Sequence, residues 1–255
     1  MIQAVGVVIP AHNEEDLLPS CLAAVREAAA RLHRTAVHLV VVADACTDRT
    51  AEQARRDGAV VREIQARCVG AARRTGMHEV LSRTRNLQPG RVWLATTDAD
   101  TLVPPEWLTQ QLHYATRGWD AIVGTVTVTD WSEHPPGLPF LFHQRYHTGD
   151  PGTHPHVHGA NLGFSASAYL AAGGFQPSHT AEDHALVASL TSAHRRILRT
   201  TEINVLTSAR RQARAPRGFS QLLSNLADAA QPGTSGPPGA HSHARPGWVP
   251  EAQAG

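Results

Sequence analysis

A chain of 255 residues, 42% hydrophobic and 18% charged, has the composition of a soluble globular protein and enough length for one large domain. A net charge of +1 supplies no basic face of the kind nucleic acid needs, and this excludes it as a partner. The three cysteines, Cys21, Cys46 and Cys68, lie far apart without a C-x-x-C pair, so no disulfide framework is expected. No apolar run reaches the roughly 18 residues of a membrane span. Glu14, Glu15 and Asp16 close to the start are unlike a signal peptide, and a cytoplasmic location is expected.

Ala4 to Ile9 is a short apolar run rich in β-branched residues and stopped by Pro10, the pattern of a strand buried on both faces. Ala11-His12-Asn13-Glu14-Glu15-Asp16 turns into a helix for which Asn13 is the expected N-cap. Leu17, Leu18, Cys21, Leu22, Val25, Ala28, Ala29 and Leu32 share that helix's buried face. Val37 to Ala43 predicts a second strand. It ends at Asp44, and Thr47 or Asp48 can cap a helix from Arg49 to Asp57 that Gly58 closes. Ala59 to Glu63, Val69 to Ser82 and Val92 to Thr97 predict a third strand, a third helix and a fourth strand. This alternation predicts an α/β fold on a mostly parallel sheet. Neither G-x-G-x-x-G nor G-x-x-x-x-G-K-[ST] follows the first strand, which disfavours a dinucleotide fold and a P-loop enzyme.

The fourth strand runs straight into Asp98-Ala99-Asp100. Alternate residues of an extended segment face one way, so the two carboxylates can converge on a hard divalent cation. Strand ends of an open α/β sheet are also where ligands bind. At the end of the second strand, Asp44 either accepts hydrogen bonds from a base or ribose or caps the following helix. Beyond the acidic centre, Pro104-Pro105-Glu106 opens a helix that buries Trp107, Leu108 and Leu112, and Ala121 to Thr129 predicts a fifth strand. Trp131 to His158, rich in proline, glycine and histidine, predicts a long irregular connection. The histidine spacing matches no common zinc pattern. Gly159-Ala160-Asn161 then leads through a turn to a helix from Ser165 to Ala171. Glu182-Asp183 opens an apolar helix for which Thr180 is a candidate cap, and Ile197 to Arg199 and Ile203 to Leu206 predict two short strands. The basic run Arg210, Arg211, Arg214 and Arg217 is suited to neutralising a diphosphate. A helix from Phe219 to Ala229 closes the domain, and 231–255 has the composition of a disordered tail.

Five short motifs, in order and at their usual spacing, resemble family 2 glycosyltransferases. They are Pro10-Ala11-His12-Asn13-Glu14-Glu15, Asp44-Ala45-Cys46-Thr47-Asp48, Asp98-Ala99-Asp100, Gly159-Ala160-Asn161 with Gly173-Gly174-Phe175, and Glu182-Asp183. The resemblance runs from about residue 4 to about residue 225. It implies a GT-A-type fold, a mostly parallel central sheet with flanking helices and a smaller acceptor-side sheet. Residues 1–230 would form one domain, with a nucleotide-binding half at 1–101 and an acceptor half at 102–230.

The resemblance also implies roles. Pro10, Ala11 and Glu14 would line the nucleotide pocket, Asp44 would meet the base, and Arg73 would meet base or phosphate. Asp98 would face ribose or metal, and Asp100 would ligate Mn²⁺ or Mg²⁺ on the diphosphate of a UDP- or GDP-sugar. Arg210 and Arg211 would assist at the phosphates, and Asn161 would lie near donor sugar or acceptor. Asp183 would be the general base for a small-molecule, lipid or glycan acceptor, with Glu182 orienting it. Two departures stand out: the second motif carries one carboxylate, Asp44, where the family often has two, and no histidine follows His194 before the tail. The chain has neither transmembrane helices nor a Gln-x-x-Arg-Trp motif, so single-sugar addition is expected in place of polymerisation. The rival readings are a nucleotidyltransferase, a non-catalytic nucleotide-sugar binding protein and a histidine-based metal hydrolase. The first would need a glycine-rich phosphate loop that Ala11-His12-Asn13 lacks.

Overall fold

A computed structural model describes residues 1–128, 130–146 and 152–210. In chain order the described elements are β1 (Ala4–Ala11), α1 (Leu18–Ala30), β2 (Ala36–Asp44), α2 (Thr50–Arg56), β3 (Val60–Ile64), α3 (Val69–Arg83), β4 (Val92–Thr96), β5 (Thr101–Leu102) and α4 (Trp107–Thr116). They continue with β6 (Ala121–Val128), α5 (Leu138–Tyr146), β7 (Leu162–Ser165), α6 (Ala166–Ala171), α7 (Glu182–Ser192) and β8 (Ile197–Thr207). The expected helix at 219–229, the tail at 231–255, and Arg211, Arg214 and Arg217 lie outside the described residues.

One eight-stranded sheet runs in the order β3-β2-β1-β4-β7-β6-β8-β5. The pairs β1–β2, β1–β4, β2–β3 and β6–β8 are parallel. β7 runs antiparallel between β4 and β6, and β5 antiparallel to β8. The smaller acceptor-side sheet that was expected is therefore continuous with the central one, because β7 pairs on both of its sides and leaves no gap. Side chains of β1 alternate between two cores, as a strand covered on both faces requires. Val5, Val7 and Ile9 join Leu18, Leu22, Val25 of α1 and Trp107 of α4. Ala4 and Val8 join Met77 and Val80 of α3, Tyr169 of α6 and Leu186 of α7. No helix among the described residues is long and apolar enough to cross a membrane.

Several local expectations are revised. Asn13 does not cap α1: it adopts φ 54°, and its Oδ1 accepts from the Thr47 amide at 2.7 Å, joining the loops after β1 and β2. Neither Thr47 nor Asp48 is the N-cap of α2, which is Arg49; Asp48, just before it, accepts from the Thr50 amide at 3.0 Å. Thr180 caps nothing, and α7 starts instead from Ala181 in the left-handed region. The stretch read as irregular contains α5, which buries Leu138, Phe142 and Tyr146. The two short C-terminal strands are one strand, β8, whose pairing with β6 shifts register between Val123 and Thr125.

Candidate active site

The C-terminal ends of β1, β2 and β4 deliver the acidic residues to one edge of the sheet. Asp44, at the end of β2 and 4% exposed, turns its carboxylate to the segment entering α3. Its Oδ1 accepts from the amides of Ala66 and Arg67, both at 2.8 Å, and its Oδ2 from that of Cys68 at 2.7 Å. Asp44 does not cap the following helix α2, whose N-cap is Arg49; its oxygens tie down the loop that leads into α3. Beside it, the His12 Nδ1 donates to the Asp44 carbonyl at 2.6 Å.

Arg73 on α3 is enclosed and faces the end of β4. Its Nη2 lies 2.6 Å from Asp98 Oδ1, its Nη1 donates to Thr96 Oγ1 at 2.6 Å, and its Nε donates to Glu182 Oε1 at 3.0 Å. Thr96 and Asp98 are two apart on an extended end, so both point at the guanidinium. Burial opposes the charge on Arg73, but Asp98 and Glu182 outweigh it and raise its pKa. Glu182 is held above the ordinary carboxyl range by burial, with Arg73 acting against that and Asp183 adding to it. Arg73 was expected at the base or phosphate; its Nε, Nη1 and Nη2 are engaged on protein oxygens. Gly159 lies against the same guanidinium: a Cβ there would sit 2.2 Å from Arg73 Nη2. The Gly159 amide donates to Asp183 Oδ2 at 2.8 Å, so α7's acid pair is fixed from both sides.

A second guanidinium serves the other acids. Arg210 Nη1 donates to Glu14 Oε2 at 2.8 Å, Nη2 donates to Glu14 Oε1, and Nη2 lies 3.0 Å from Asp100 Oδ2. The chain turns after β4, with the Thr101 amide bonding the Asp98 carbonyl at 3.1 Å. Asp98 and Asp100 therefore diverge onto different cations, where an extended segment would have aimed them together. The Asp100 carboxyl is pushed up to about 7 by burial and by Asp98, with Arg210 opposing and Glu14 adding. Burial and the same neighbouring acids raise the Cys21 thiol, whose Sγ lies 3.3 Å from the Asp98 carbonyl. Pro10 and Ala11 end β1 beside this group, and Ala11 is buried.

Asn161 has a different place from the one expected. Its Nδ2 donates to the carbonyls of Thr125 at 2.8 Å and Ile203 at 2.9 Å, and its Oδ1 accepts from Trp107 Nε1 at 2.9 Å. It satisfies carbonyls at the register shift between β6 and β8 and pins the scaffold. Gly124 makes room for it, since a Cβ there would lie 2.2 Å from Asn161 Nδ2. Three histidines of the connection form a ladder: His156 stacks on Tyr146 at 4.0 Å and lies 6.0 Å from both His154 and His158. Sequence reasoning gave no role to Thr96, legible from its i, i+2 relation to Asp98, or to Gly124, for which no local signal exists.

No three histidine, cysteine or acidic side chains among the described residues converge as a ready-made metal cage. The donor set still fits a hard cation. Glu14, Asp98, Asp100 and Glu182 are hard oxygen donors gathered around Arg73 and Arg210, and a cation held by one or two carboxylates with substrate phosphates needs no cage.

The sequence matches the profile described as "Glycosyl transferase family 2" over residues 6–171. The chain belongs to glycosyl transferase family 2. A curated relative, undecaprenyl-phosphate 4-deoxy-4-formamido-L-arabinose transferase of Pseudomonas aeruginosa (strain LESB58), is 33% identical over 152 residues, which is 56% of this chain and 42% of that relative. The chain thus spans less than half the length of this relative. Among solved structures, Staphylococcus aureus TarS 1-349 in complex with UDP-GlcNAc superposes with a TM-score of 0.59 at 14% identity, covering 90% of this chain and 66% of that one. The mannosyltransferase PcManGT from Pyrobaculum calidifontis, in complex with GDP-Man and Mn²⁺, gives 0.57 at 20% identity, covering 89% and 70%. These similarities establish the GT-A fold, on which the first three motifs lie at the ends of β1, β2 and β4 and Glu182-Asp183 opens α7.

Proposed function

We propose that this family 2 chain transfers a single sugar from a nucleoside-diphosphate sugar to an acceptor hydroxyl, with inversion at the anomeric carbon. The observation that carries the reading is the shared contact of Arg73: one guanidinium holds Asp98, beside the donor acids, and Glu182, beside Asp183. The strand-end acids and the α7 acids thereby form one centre, with a leaving-group side and a base side. Pro10, Ala11 and Glu14 border the nucleotide. Asp44 Oδ2, which takes one backbone amide, retains acceptor capacity for a base.

Asp100, with Asp98, would hold Mn²⁺ or Mg²⁺, which supplies charge neutralisation for the diphosphate. Arg210 adds a fixed positive charge on the same side, and Arg211, outside the described residues, follows it. Glu182, held by Arg73, sets the direction of α7. Asp183, steadied by the Gly159 amide, accepts the proton of the attacking hydroxyl. The relative named for undecaprenyl phosphate makes a lipid phosphate the second acceptor to test; its anionic oxygen would attack with no proton to remove, so the base role of Asp183 applies to a hydroxyl acceptor. The test is release of UDP or GDP from sugar conjugates by the full chain with Mn²⁺, across soluble and polyprenyl-phosphate acceptors. Acceptor-dependent release that Asp183→Asn abolishes supports the reading. Nucleotide binding without turnover on any acceptor would leave a binding protein in its place.

A further inference from the structure

Arg210 sits where a donor's charges would be met. Its position is set by pairing: β5 begins immediately after Asp100, and its Thr101 registers with Thr207 at the end of β8. The two hydroxyls meet at 3.0 Å. Ser208 Oγ then accepts from the Arg210 amide at 3.3 Å, and His134 Nε2 donates to the Ala209 carbonyl. The backbone is thus tied down from two sides while the side chain, 20% exposed, spans Glu14 and Asp100. Guanidinium prefers bidentate oxyanions, and phosphate competes with carboxylate for that fork.

We propose that Arg210 is a resident cation of the donor site. In the ligand-free chain it bridges Glu14 and Asp100 and denies Asp100 to a lone divalent ion. When the nucleotide arrives, the guanidinium transfers to the diphosphate and Asp100 is released to the metal. Metal and nucleotide then bind as a pair, each weak without the other, which is the reciprocity that linkage demands. No covalent step is involved. The inference rests on the reading of Asp100 as a metal ligand.

The experiment measures Mn²⁺ binding to the full chain by loss of the free-ion electron paramagnetic signal, with metal alone and then with UDP or GDP. Wild type is expected to bind Mn²⁺ alone at least ten times more weakly than with nucleotide. Arg210→Gln is expected to bind Mn²⁺ alone at least ten times more tightly than wild type and to lose most of the nucleotide dependence. Arg210→Lys, which keeps the charge, is expected to go on excluding the lone ion. Wild type that binds the metal–nucleotide pair, with Arg210→Gln no tighter for Mn²⁺ alone, overturns this inference and leaves the glycosyltransferase reading standing. Wild type that binds Mn²⁺ equally with and without nucleotide overturns it even if Arg210→Gln does not fold. Wild type that binds Mn²⁺ under neither condition overturns the role of Asp100 as well.

Discussion

Replacing Arg73 by glutamine removes the guanidinium shared by Asp98, Thr96 and Glu182. The largest cost falls on Glu182, whose side chain is 6% exposed; stranding a buried charge costs about 3–5 kcal/mol. Asp98 is 37% exposed, so solvent screening limits its share to about 1 kcal/mol or less. Thr96 keeps a partner through its hydroxyl's donation to the Val8 carbonyl at 2.9 Å. The expected loss is about 4 kcal/mol, a large part of the roughly 5–15 kcal/mol of a typical domain. Urea unfolding followed by circular dichroism measures it. Because the stranded carboxylate causes most of the loss, Arg73→Gln/Glu182→Gln is expected to recover about 2 kcal/mol or more relative to Arg73→Gln. Protonation of Glu182 also relieves the defect, so the single variant's deficit shrinks as pH falls. An Arg73→Gln chain within about 1 kcal/mol of wild type, or a double variant no more stable than the single one, refutes the placement of this network.

Asn161→Leu strands the carbonyls of Thr125 and Ile203 and the indole N–H of Trp107; it is expected to cost about 3 kcal/mol or more in urea unfolding, and a near-neutral effect contradicts the pinning role. Asp183→Asn keeps one acceptor oxygen for the Gly159 amide and gives up the bond from the exposed His184 amide, so it should stay folded with a small loss of stability while kcat falls about 10²–10⁴-fold; unchanged turnover removes Asp183 as the base. His158 Nε2 accepts from the Tyr146 hydroxyl at 2.7 Å, and that hydroxyl accepts from the Val126 amide at 3.0 Å. Burial, then His156, His154 and His184, lower the His158 pKa to about 3. The unfolded chain takes up this proton near 6.5, so the contribution to stability is complete above that pH and declines as pH falls toward 3. His158→Asn should flatten the acid limb of the stability curve, and an unaltered slope contradicts the assignment.

The parts legible in the sequence are those that local pattern dictates. Runs such as Val5–Ile9 and Val40–Ala43 are β-branched and apolar because the strands are covered on both faces, and the acids after them mark the ligand edge. Contacts that only pairing creates were hidden. β7 is four residues with a glycine, and it becomes a strand because β4 and β6 flank it. Proline at 135, 136 and 139 masked α5, whose identity rests on burying Phe142 and Tyr146. Asn161 and Arg73 were recognised as important residue types, yet their protein partners are distant in sequence, so their burial among them was not legible. Glu14, Asp100 and Arg210 were each singled out, but their union depends on the register of Thr101 with Thr207.

The central claim is that the acids at the strand ends hold a metal–nucleotide donor. The most direct measurement is thermal stabilisation of the full chain by UDP, GDP and their sugar conjugates, with and without Mn²⁺, in wild type and Asp100→Asn. A ligand at about 100 times its dissociation constant adds roughly 2.7 kcal/mol. The account predicts a shift of that size for one nucleotide, present only with metal and lost in Asp100→Asn. Folded protein that no nucleotide stabilises, or an Asp100→Asn chain stabilised as fully as wild type, would contradict it.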